Sequence, residues 1–479
     1  MTGHHALFKD LSAIVGPKYV SDDDFVLFAY SMAMDPLPPK IQGIVVRPGS
    51  VEDVVEIAKL ANVTHTPLMP SGGRASIYGM SPGAAGRAIV VDMKRMDKII
   101  SIDESNICVT AQAGISTCEL NQRLNERGWG VHTAYQPYYP DTLGGILSGC
   151  TGGGGGMRMS DPPGWNVNGY INSIKVVLGN GDILQTSACA NFGRGVAYAH
   201  EPGGPCTTPL FVGDAGAFGI KVEATLRMFK IRPEQPKREA EPAYFETEED
   251  AFACYKEGVL YDPTPSEQWS LVTPYSARTA MMVEEKWLMV NAWQGFDKGD
   301  HESKRRWWHE IVKKHNGVIS DNPTMKFVAE GLASGRPYQE LGVFGTGGRY
   351  VMIEAVAPFG ECQACLNTLR HETRTRLEKG GVVSRMSECM LSLGAQQVCS
   401  VFFWYDDSNP VESKVAIDTF REVFEAVASK GWTPDVTHGY AAKMMSKYWK
   451  PSYVNYMRAT KKALDPNNIM NPGVWGEVI

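Results

Sequence analysis

The sequence predicts an α+β protein of two units, and three observations carry that reading. Its 479 residues exceed what one hydrophobic core accommodates. Residues 41–230 alternate short β-branched runs with helical periodicities. Near residue 231, prolines and charges gather in "RPEQPKREAEPAYFETEED", the composition of a boundary or linker, and a second strand-and-helix unit follows. In order, a helical N-terminal segment fills 1–36, "IQGIVV" reads as a strand and "SVEDVVEIAKLANV" as an amphipathic helix. "RAIVVDM" and "NICVTAQAG" then read as strands and "STCELNQRLNERG" as a helix. "INSIKVVLGNGDILQT" reads as two strands joined by an Asn-Gly hairpin turn, and "KVEATLRMFKI" as another strand. The second unit carries the strands "MMVEEKWLMVNAW", "GGRYVMIEAVAP" and "AQQVCSVFFWYDD" and the helices "ESKRRWWHEIVKKHNG" and "KVAIDTFREVFEAVASKG". The chain closes on a basic helix, "SYVNYMRATKKAL", stopped by Asp-Pro and followed by a Pro/Gly tail.

A net charge of −6 and a pI near 6.0 leave no basic surplus for a nucleic-acid backbone, so a small-molecule partner is expected. No apolar run approaches the roughly 20 residues of a membrane span. The N-terminal "MTGHHALFKDLSAIVG" lacks the basic and apolar regions of an export signal, which predicts a soluble, cytoplasmic protein. The ten cysteines are accordingly expected as thiols. Cys362 and Cys365 have metal or redox spacing, but they fall in a helix-like stretch with no second pair, which suits packing better.

Three glycine-rich segments stand out. "PLMPSGGRASIYGMSPG" (67–83) follows a strand–turn–helix pattern and is either a cradle of backbone N–H groups for a phosphate or a mobile surface loop. "PDTLGGILSGCTGGGGGMRM" (140–159) has eight glycines, far more than a hairpin needs. "FVGDAGAFGIKVEATLRM" (211–228) is a third small-residue loop feeding a strand. None is a P-loop or a clean Gly-x-Gly-x-x-Gly opening a helix, so a nucleoside triphosphate or NAD is disfavoured and a larger phosphorylated cofactor is favoured.

Taken in order with "VVRPGSVEDVVEIAKLAN", "AIVVDMKRMDKIISID", "VTAQAG", "VLGNGDILQT" and "ALDPNNIMNPG", these segments resemble the FAD-linked oxidases of the vanillyl-alcohol oxidase and p-cresol methylhydroxylase (PCMH) family. The resemblance covers nearly the whole chain. It implies a two-lobed PCMH-type FAD-binding domain, 37–232, interrupted by an α+β cap (substrate) domain, 233–430, with 431–479 returning to the FAD domain. It also implies the cofactor residues. Ser71, Gly72, Gly73, Arg74, Ala75 and Ser76 match the pyrophosphate loop; Thr142, Gly144, Gly145, Ser148 and Gly149 the second loop. Gly213, Gly219 and Ile220 match the loop near the adenosine half, and Asn471 the tail that returns to the flavin.

For the chemistry, the resemblance puts Asp141 beside the flavin N5 and Tyr78 against the substrate, with Asp435 and Tyr440 on the substrate side. His438 is the second proton-handling candidate, since a histidine near neutral pKa can take an alcohol proton as hydride leaves carbon. Phenol oxidisers of this branch carry a Tyr-Arg pair where "GWTPDVTHGY" has Asp435 and Val436. At an effective dielectric near 20, a carboxylate about 6 Å from a phenolate costs roughly 3 kcal/mol, about two pKa units in the wrong direction. The histidine-rich metal motif of the 2-hydroxyacid dehydrogenases is missing, and no metal is expected. Three readings stay open: oxidation of an alcohol or an activated benzylic or allylic carbon, a metal-free 2-hydroxyacid dehydrogenase, and a catalytically silent flavin-holding subunit. With neither a haem motif nor a four-cysteine iron–sulfur pattern, electrons leave to oxygen or to a protein acceptor. A homo-oligomer is expected.

Relatives with covalent flavin use a histidine in the first loop or a histidine or tyrosine in the cap. Here Arg74 occupies the loop, and Ala395 and Gln396 stand where the cap histidine would fall. The expected outcome is noncovalent FAD: acid precipitation gives a white pellet and a yellow supernatant, whereas a yellow pellet contradicts it.

Overall fold

The computed structural model describes residues 2–32, 36–37, 40–74, 87–131, 141–149, 170–187, 197, 204–260, 268–274, 277, 285–333, 349–382, 386–393, 396–434 and 439–476. Helix α1 (Thr2–Val15), strand β1 (Val20–Ser21) and helix α2 (Asp24–Ser31) precede a β–α–β unit of β2 (Ile44–Val46), α3 (Val51–Thr64) and β3 (Leu68–Ser71). Strand β4 (Ile89–Asp92) inserts between β2 and β3, parallel to both. Parallel strands are covered on both faces, which is why "IVV" and "IVVD" are unbroken apolar runs rather than alternating ones. Ile44, Val46, Leu68, Ile89 and Val91 meet Val54, Ile57 and Ala61 of α3 and Leu11 of α1 on one face. Val45, Met69 and Val90 meet Leu27 of α2 on the other. The start of α3 is fixed by its N-cap Ser50, which accepts from Asp53 N (3.1 Å), while the Asp53 carboxylate accepts from Gly49 N (2.8 Å).

An antiparallel sheet follows, from β5 (Ile99–Asp103), β6 (Cys108–Gln112), β7 (Trp129–Val131), β8 (Ile171–Val177), β9 (Ile183–Gln185) and β10 (Ile220–Lys230), with α4 (Thr117–Asn125) after β6 and α5 (Leu143–Gly149) after β7. The long β10 pairs with β6, β7 and β8. Its alternation is the period-two pattern of a half-buried strand. Ala224, Leu226 and Met228 enter the core with Leu120 of α4 and Ile146 of α5. Lys221, Glu223 and Thr225 point the other way, to Asp214, Lys175 and Thr110. The β8–β9 hairpin forms where the sequence suggested, with Asn180 and Gly181 in its turn. Leu178 N donates to Asp182 O, Gly181 N to Leu178 O, and Gly181 has φ 87°, a three-residue loop with a glycine bulge.

The second unit is a seven-stranded sheet. In chain order it comprises β11 (Glu239–Phe245), α6 (Glu248–Gly258), β12 (Gln268–Val272), β13 (Trp287–Trp293), α7 (Lys298–Lys314), β14 (Val318–Ile319), α8 (Pro323–Ala333), β15 (Arg349–Ala357), α9 (Cys362–Lys379), β16 (Met386–Leu393), β17 (Gln396–Tyr405) and α10 (Pro410–Ser429). Strand order is β14-β11-β13-β12-β16-β17-β15. Helices α6, α7, α9 and α10 cover one face and α8 part of the other. The charged, proline-rich stretch expected as a linker is one only to about residue 238. Its second half forms β11, because "EAEPAYF" pairs with all seven residues of β13, and Thr247 then caps α6. Cys362 and Cys365 lie on α9, both buried in the cap core, which accounts for their spacing by packing. Helix α11 (Gly439–Met445) and helix α12 (Pro451–Leu464) lead to a tail that lies beside β3.

No helix among the described residues is long and apolar enough to cross a membrane. The glycine of "VTAQAG" has a packing reason, since a Cβ on Gly114 would stand 1.9 Å from the Met93 carbonyl oxygen. Gly114→Ala therefore should cost roughly 2–3 kcal/mol or more through overpacking and lower the thermal midpoint. An unchanged melt would refute that close approach.

Candidate cofactor site

Strands β3 and β4 end side by side at Ser71 and Asp92, and the carboxyl end of a parallel sheet is where loops open to a ligand. Buried Ser71 leads into Gly72, where a Cβ would fall 2.2 Å from Thr142 Oγ1, so the first glycine loop lies directly on the second. The second loop is strapped down from residue to residue. Thr117 N donates to Asp141 O (3.0 Å), Leu143 N to Ile115 O (2.9 Å) and Gly144 N to Ala113 O (2.7 Å), while Thr142 Oγ1 accepts from Gly145 N (3.2 Å). The third loop caps α5: Gly213 N donates to Leu147 O (2.8 Å) and Ala215 N to Ser148 O (2.9 Å), partnering carbonyls that the end of a helix leaves open.

The C-terminal tail closes this arrangement. Buried Lys461 on α12 donates to Ala217 O of the third loop (2.6 Å) and Met470 O of the tail (2.5 Å), and pairs with Asp465 (2.8 Å). All three ammonium protons are thus used. Burial holds the Lys461 amine below the ordinary lysine range, with the Asp465 carboxylate opposing the shift. Asp465 accepts from Ile469 N (3.1 Å) and Met470 N (2.7 Å), shaping the turn that carries the tail back. Leu68 N then donates to Ile469 O (2.7 Å) and Asn471 N to Leu68 O (2.8 Å), stitching the tail to β3. Asn471 Nδ2 donates to Ala215 O (2.7 Å), but Asn471 Oδ1 is buried without a partner. A second buried pair, Asp214 with Lys221 (2.5 Å), stiffens the third loop, and Asp214 also accepts from Gly216 N (3.0 Å).

The residues named from the sequence fall out as follows. Ser71, Gly72, Thr142, Gly144, Gly145, Ser148, Gly149, Gly213 and Asn471 are brought together. Gly73 continues the first loop beyond Gly72 and is half-buried. Gly219 (φ 148°) and Ile220 open β10, where a Cβ on Gly219 would meet Val176 Cγ1 at 2.5 Å, a packing demand inside the sheet. Arg74 turns its guanidinium away toward α2, donating to the carbonyls of Tyr30 (3.0 Å), Ala29 (3.3 Å) and Met32. That is the favourable place for a cation at a helix C-terminus. Asp141 stands on the strap, and burial together with its carboxylate pushes the nearby Cys118 thiol up. Ala75, Ser76, Tyr78, Asp435 and His438 lie outside the described residues, as does the Tyr440 side chain. Sequence reasoning missed Lys461, Asp465, Asp214 and Lys221. A signal for Lys461 existed: Val454, Met457, Lys461 and Leu464 recur at helical spacing, which puts the lysine on the apolar stripe.

The returning tail holds a buried acceptor that lacks a donor, Asn471 Oδ1, between the third glycine loop and β3, the strand that feeds the first loop. The close approaches of 2–3 Å at Gly72, Gly144 and Gly145 leave no room for side chains. Glycine positions that bring main chain to main chain, plus one orphaned buried acceptor, fit a ligand that carries a hydrogen-bond donor. The fold and site define a flavin-dinucleotide protein with a cap. Two family models match in that order, the FAD binding domain at residues 43–187 and the C-terminal domain of FAD linked oxidases at 343–474. The chain belongs to the FAD-linked oxidases and is an FAD-dependent oxidoreductase. The glycolate oxidase subunit GlcD of Bacillus subtilis is 22% identical, over 97% of this chain and 95% of that one. The mitochondrial D-lactate dehydrogenase [cytochrome] of Arabidopsis thaliana is 24% identical, over 90% and 73%. In fold the chain is similar to 4-ethylphenol oxidase from Gulosibacter chungangensis (TM-score 0.82, 18% identity, 99% and 98% covered). It is equally similar to substrate-bound p-cresol methylhydroxylase (TM-score 0.83, 18% identity, 99% and 97% covered).

Removing one partner of a buried ion pair leaves the other uncompensated, at about 3–5 kcal/mol. Lys461→Met should therefore lower the thermal midpoint sharply, and Lys461→Met with Asp465→Asn, which removes the stranded charge and keeps an acceptor for the tail amides, should recover part of the loss. A single variant that melts like the parent would contradict the clamp.

Proposed function

We propose that the protein oxidises a small substrate at an alcohol carbon, or at an activated benzylic or allylic carbon, using noncovalently held FAD. The observation that carries the reading is the unsatisfied Asn471 Oδ1, held by the returning tail between β3 and the third glycine loop. Residues 37–232 with 431–479 are assigned to cofactor binding, 233–430 to the cap and 1–36 to an N-terminal segment. Bound FAD supplies an acceptor for the hydride that leaves the substrate carbon. The chain's own residues must orient that carbon and take the proton. Asp141 is assigned the role of accepting that proton or balancing the charge, and the bond from Thr117 N to its carbonyl limits how far its backbone can swing. His438 is assigned the hydroxyl proton of an alcohol, for which a near-neutral pKa is suited. Tyr78, Asp435 and Tyr440 are assigned to the substrate wall.

A second reading, a 2-hydroxyacid as substrate, is favoured by the near full-length similarity to a glycolate oxidase subunit and by the likeness to a D-lactate dehydrogenase. An alcohol and a 2-hydroxyacid share the same change: the C–H bond breaks with hydride leaving, the O–H bond breaks with a proton leaving, and a carbonyl forms.

Stopped-flow reduction of the bound flavin by alcohols, alkylphenols and 2-hydroxyacids separates them. Asp141→Asn should slow reduction by about 10² to 10⁴ with FAD content unchanged, and His438→Gln should slow it for alcohols. If both variants reduce at the parent rate the site is misassigned. If the parent reduces with none of the three classes, a flavin-holding subunit is supported instead.

A further inference from the structure

Helix α12 and the turn before it carry a concentration of cations. Residues 443–462 hold Lys443, Lys447, Lys450, Arg458, Lys461 and Lys462 and no acidic residue, in a chain of net charge −6. Lys461 is turned inward, and the other five are exposed. Among them stand Tyr448, Tyr453 and Tyr456, 45%, 43% and 59% exposed. Among the described residues, Glu425 of α10 reaches this face and accepts from Lys447 Nζ (3.2 Å) and Tyr448 OH (2.7 Å).

Behind the tyrosines an aromatic path runs inward. The Tyr453 ring meets Trp449 edge-on at 5.4 Å between centroids, and Trp449 meets Trp475 at 6.4 Å. Trp475 Nε1 donates to Asp214 O (3.0 Å) in the third glycine loop, and Trp475 lies four residues beyond Asn471. Both tryptophans are half-buried and pack on the core of the six-stranded sheet. A row of rings thus joins an exposed cationic face to the tail of the cofactor site.

We propose that this face docks an acidic one-electron carrier protein, and that Tyr453, Trp449 and Trp475 form the contact through which electrons reach it from the bound cofactor. The inference rests on the oxidoreductase reading above. Each substrate oxidation leaves two electrons on the cofactor. They pass singly to two oxidised carriers, whose metal centres are reduced, while the cofactor returns to its oxidised form and two protons go to solvent. Tyrosine, tryptophan and arginine are the residues that protein interfaces concentrate, and a cationic rim speeds encounter with an acidic partner. A bilayer would instead call for exposed leucine, phenylalanine or tryptophan to insert, and the large exposed side chains on this face are tyrosines.

The test uses the FAD-loaded protein, photoreduced without oxygen or substrate, so that a wrong substrate assignment does not affect it. The reduced protein is mixed in stopped flow with oxidised plastocyanin, an acidic blue-copper protein, or with a basic c-type cytochrome. Plastocyanin should be reduced about tenfold or more faster at low ionic strength, and high salt should erase the difference. Lys450→Glu with Lys462→Glu should cut the plastocyanin rate about tenfold, by removing steering charge. Trp449→Leu should slow transfer at saturating plastocyanin without changing the visible spectrum of the bound flavin. Equal rates with the two carriers, or an unaffected Trp449→Leu protein, would overturn the proposal. So would air reoxidation faster than reoxidation by plastocyanin, or sedimentation with phosphatidylserine vesicles accompanied by no carrier preference.

Discussion

The Lys461 ammonium is the interaction on which the rest of the cofactor site depends. It sits among buried groups, and the described residues give its three protons three acceptors: a carbonyl of the third glycine loop, a carbonyl of the tail, and Asp465. A buried cation is tolerated only when every proton is used, so the positions of the two carbonyls are as constrained as that of the lysine. Because Asp465 also takes the amides of Ile469 and Met470, the helix end, the turn and the tail form one unit. That unit sets Asn471 between β3 and the third loop, where its side chain spends one hydrogen bond on Ala215 and keeps an acceptor in reserve.

The cofactor machinery is otherwise made of main chain. Glycines at 72, 144 and 145 let three backbone segments touch, and the strap from residues 113–117 to 141–144 keeps them in register. Charge near the first loop is used structurally: Arg74 closes the C-terminal end of α2, while Tyr30 of that helix donates to buried Asp92 at the end of β4. The N-terminal helix is thereby pinned to the strand ends that frame the site. The second unit, by contrast, is built as a separate antiparallel sheet with its own core.

Most of the framework was legible in the sequence, for reasons that differ by element. The parallel strands announce themselves as unbroken apolar runs, β10 by strict alternation, and α3 by its Ser50 cap and periodicity. The three glycine loops were legible because such density has few structural uses. Strand β11 was not, since its pairing with β13 outweighs the prolines and charges that locally suggest a linker. The hairpin was legible from its Asn-Gly pair, but its loop length was not, because a three-residue loop with a glycine bulge and a two-residue turn share that signature. Lys461 was hidden by its neighbour Lys462: only the helix phase tells the buried lysine from the exposed one. Arg74 is expected in the pyrophosphate loop from the family resemblance, and only the approach of α2 reveals the partners of its side chain.

The central claim is that the tail offers Asn471 Oδ1 to FAD. Its most direct test is titration of FAD into deflavinated parent and Asn471→Gly proteins, followed by quenching of flavin fluorescence. Glycine accepts the positive φ of 41° at this position, so the variant removes the carboxamide without backbone strain. The account predicts one FAD per chain for both, with binding weakened about tenfold or more in the variant, the cost of leaving a buried donor unpaired. Equal affinity, with both apo proteins melting alike, would contradict it.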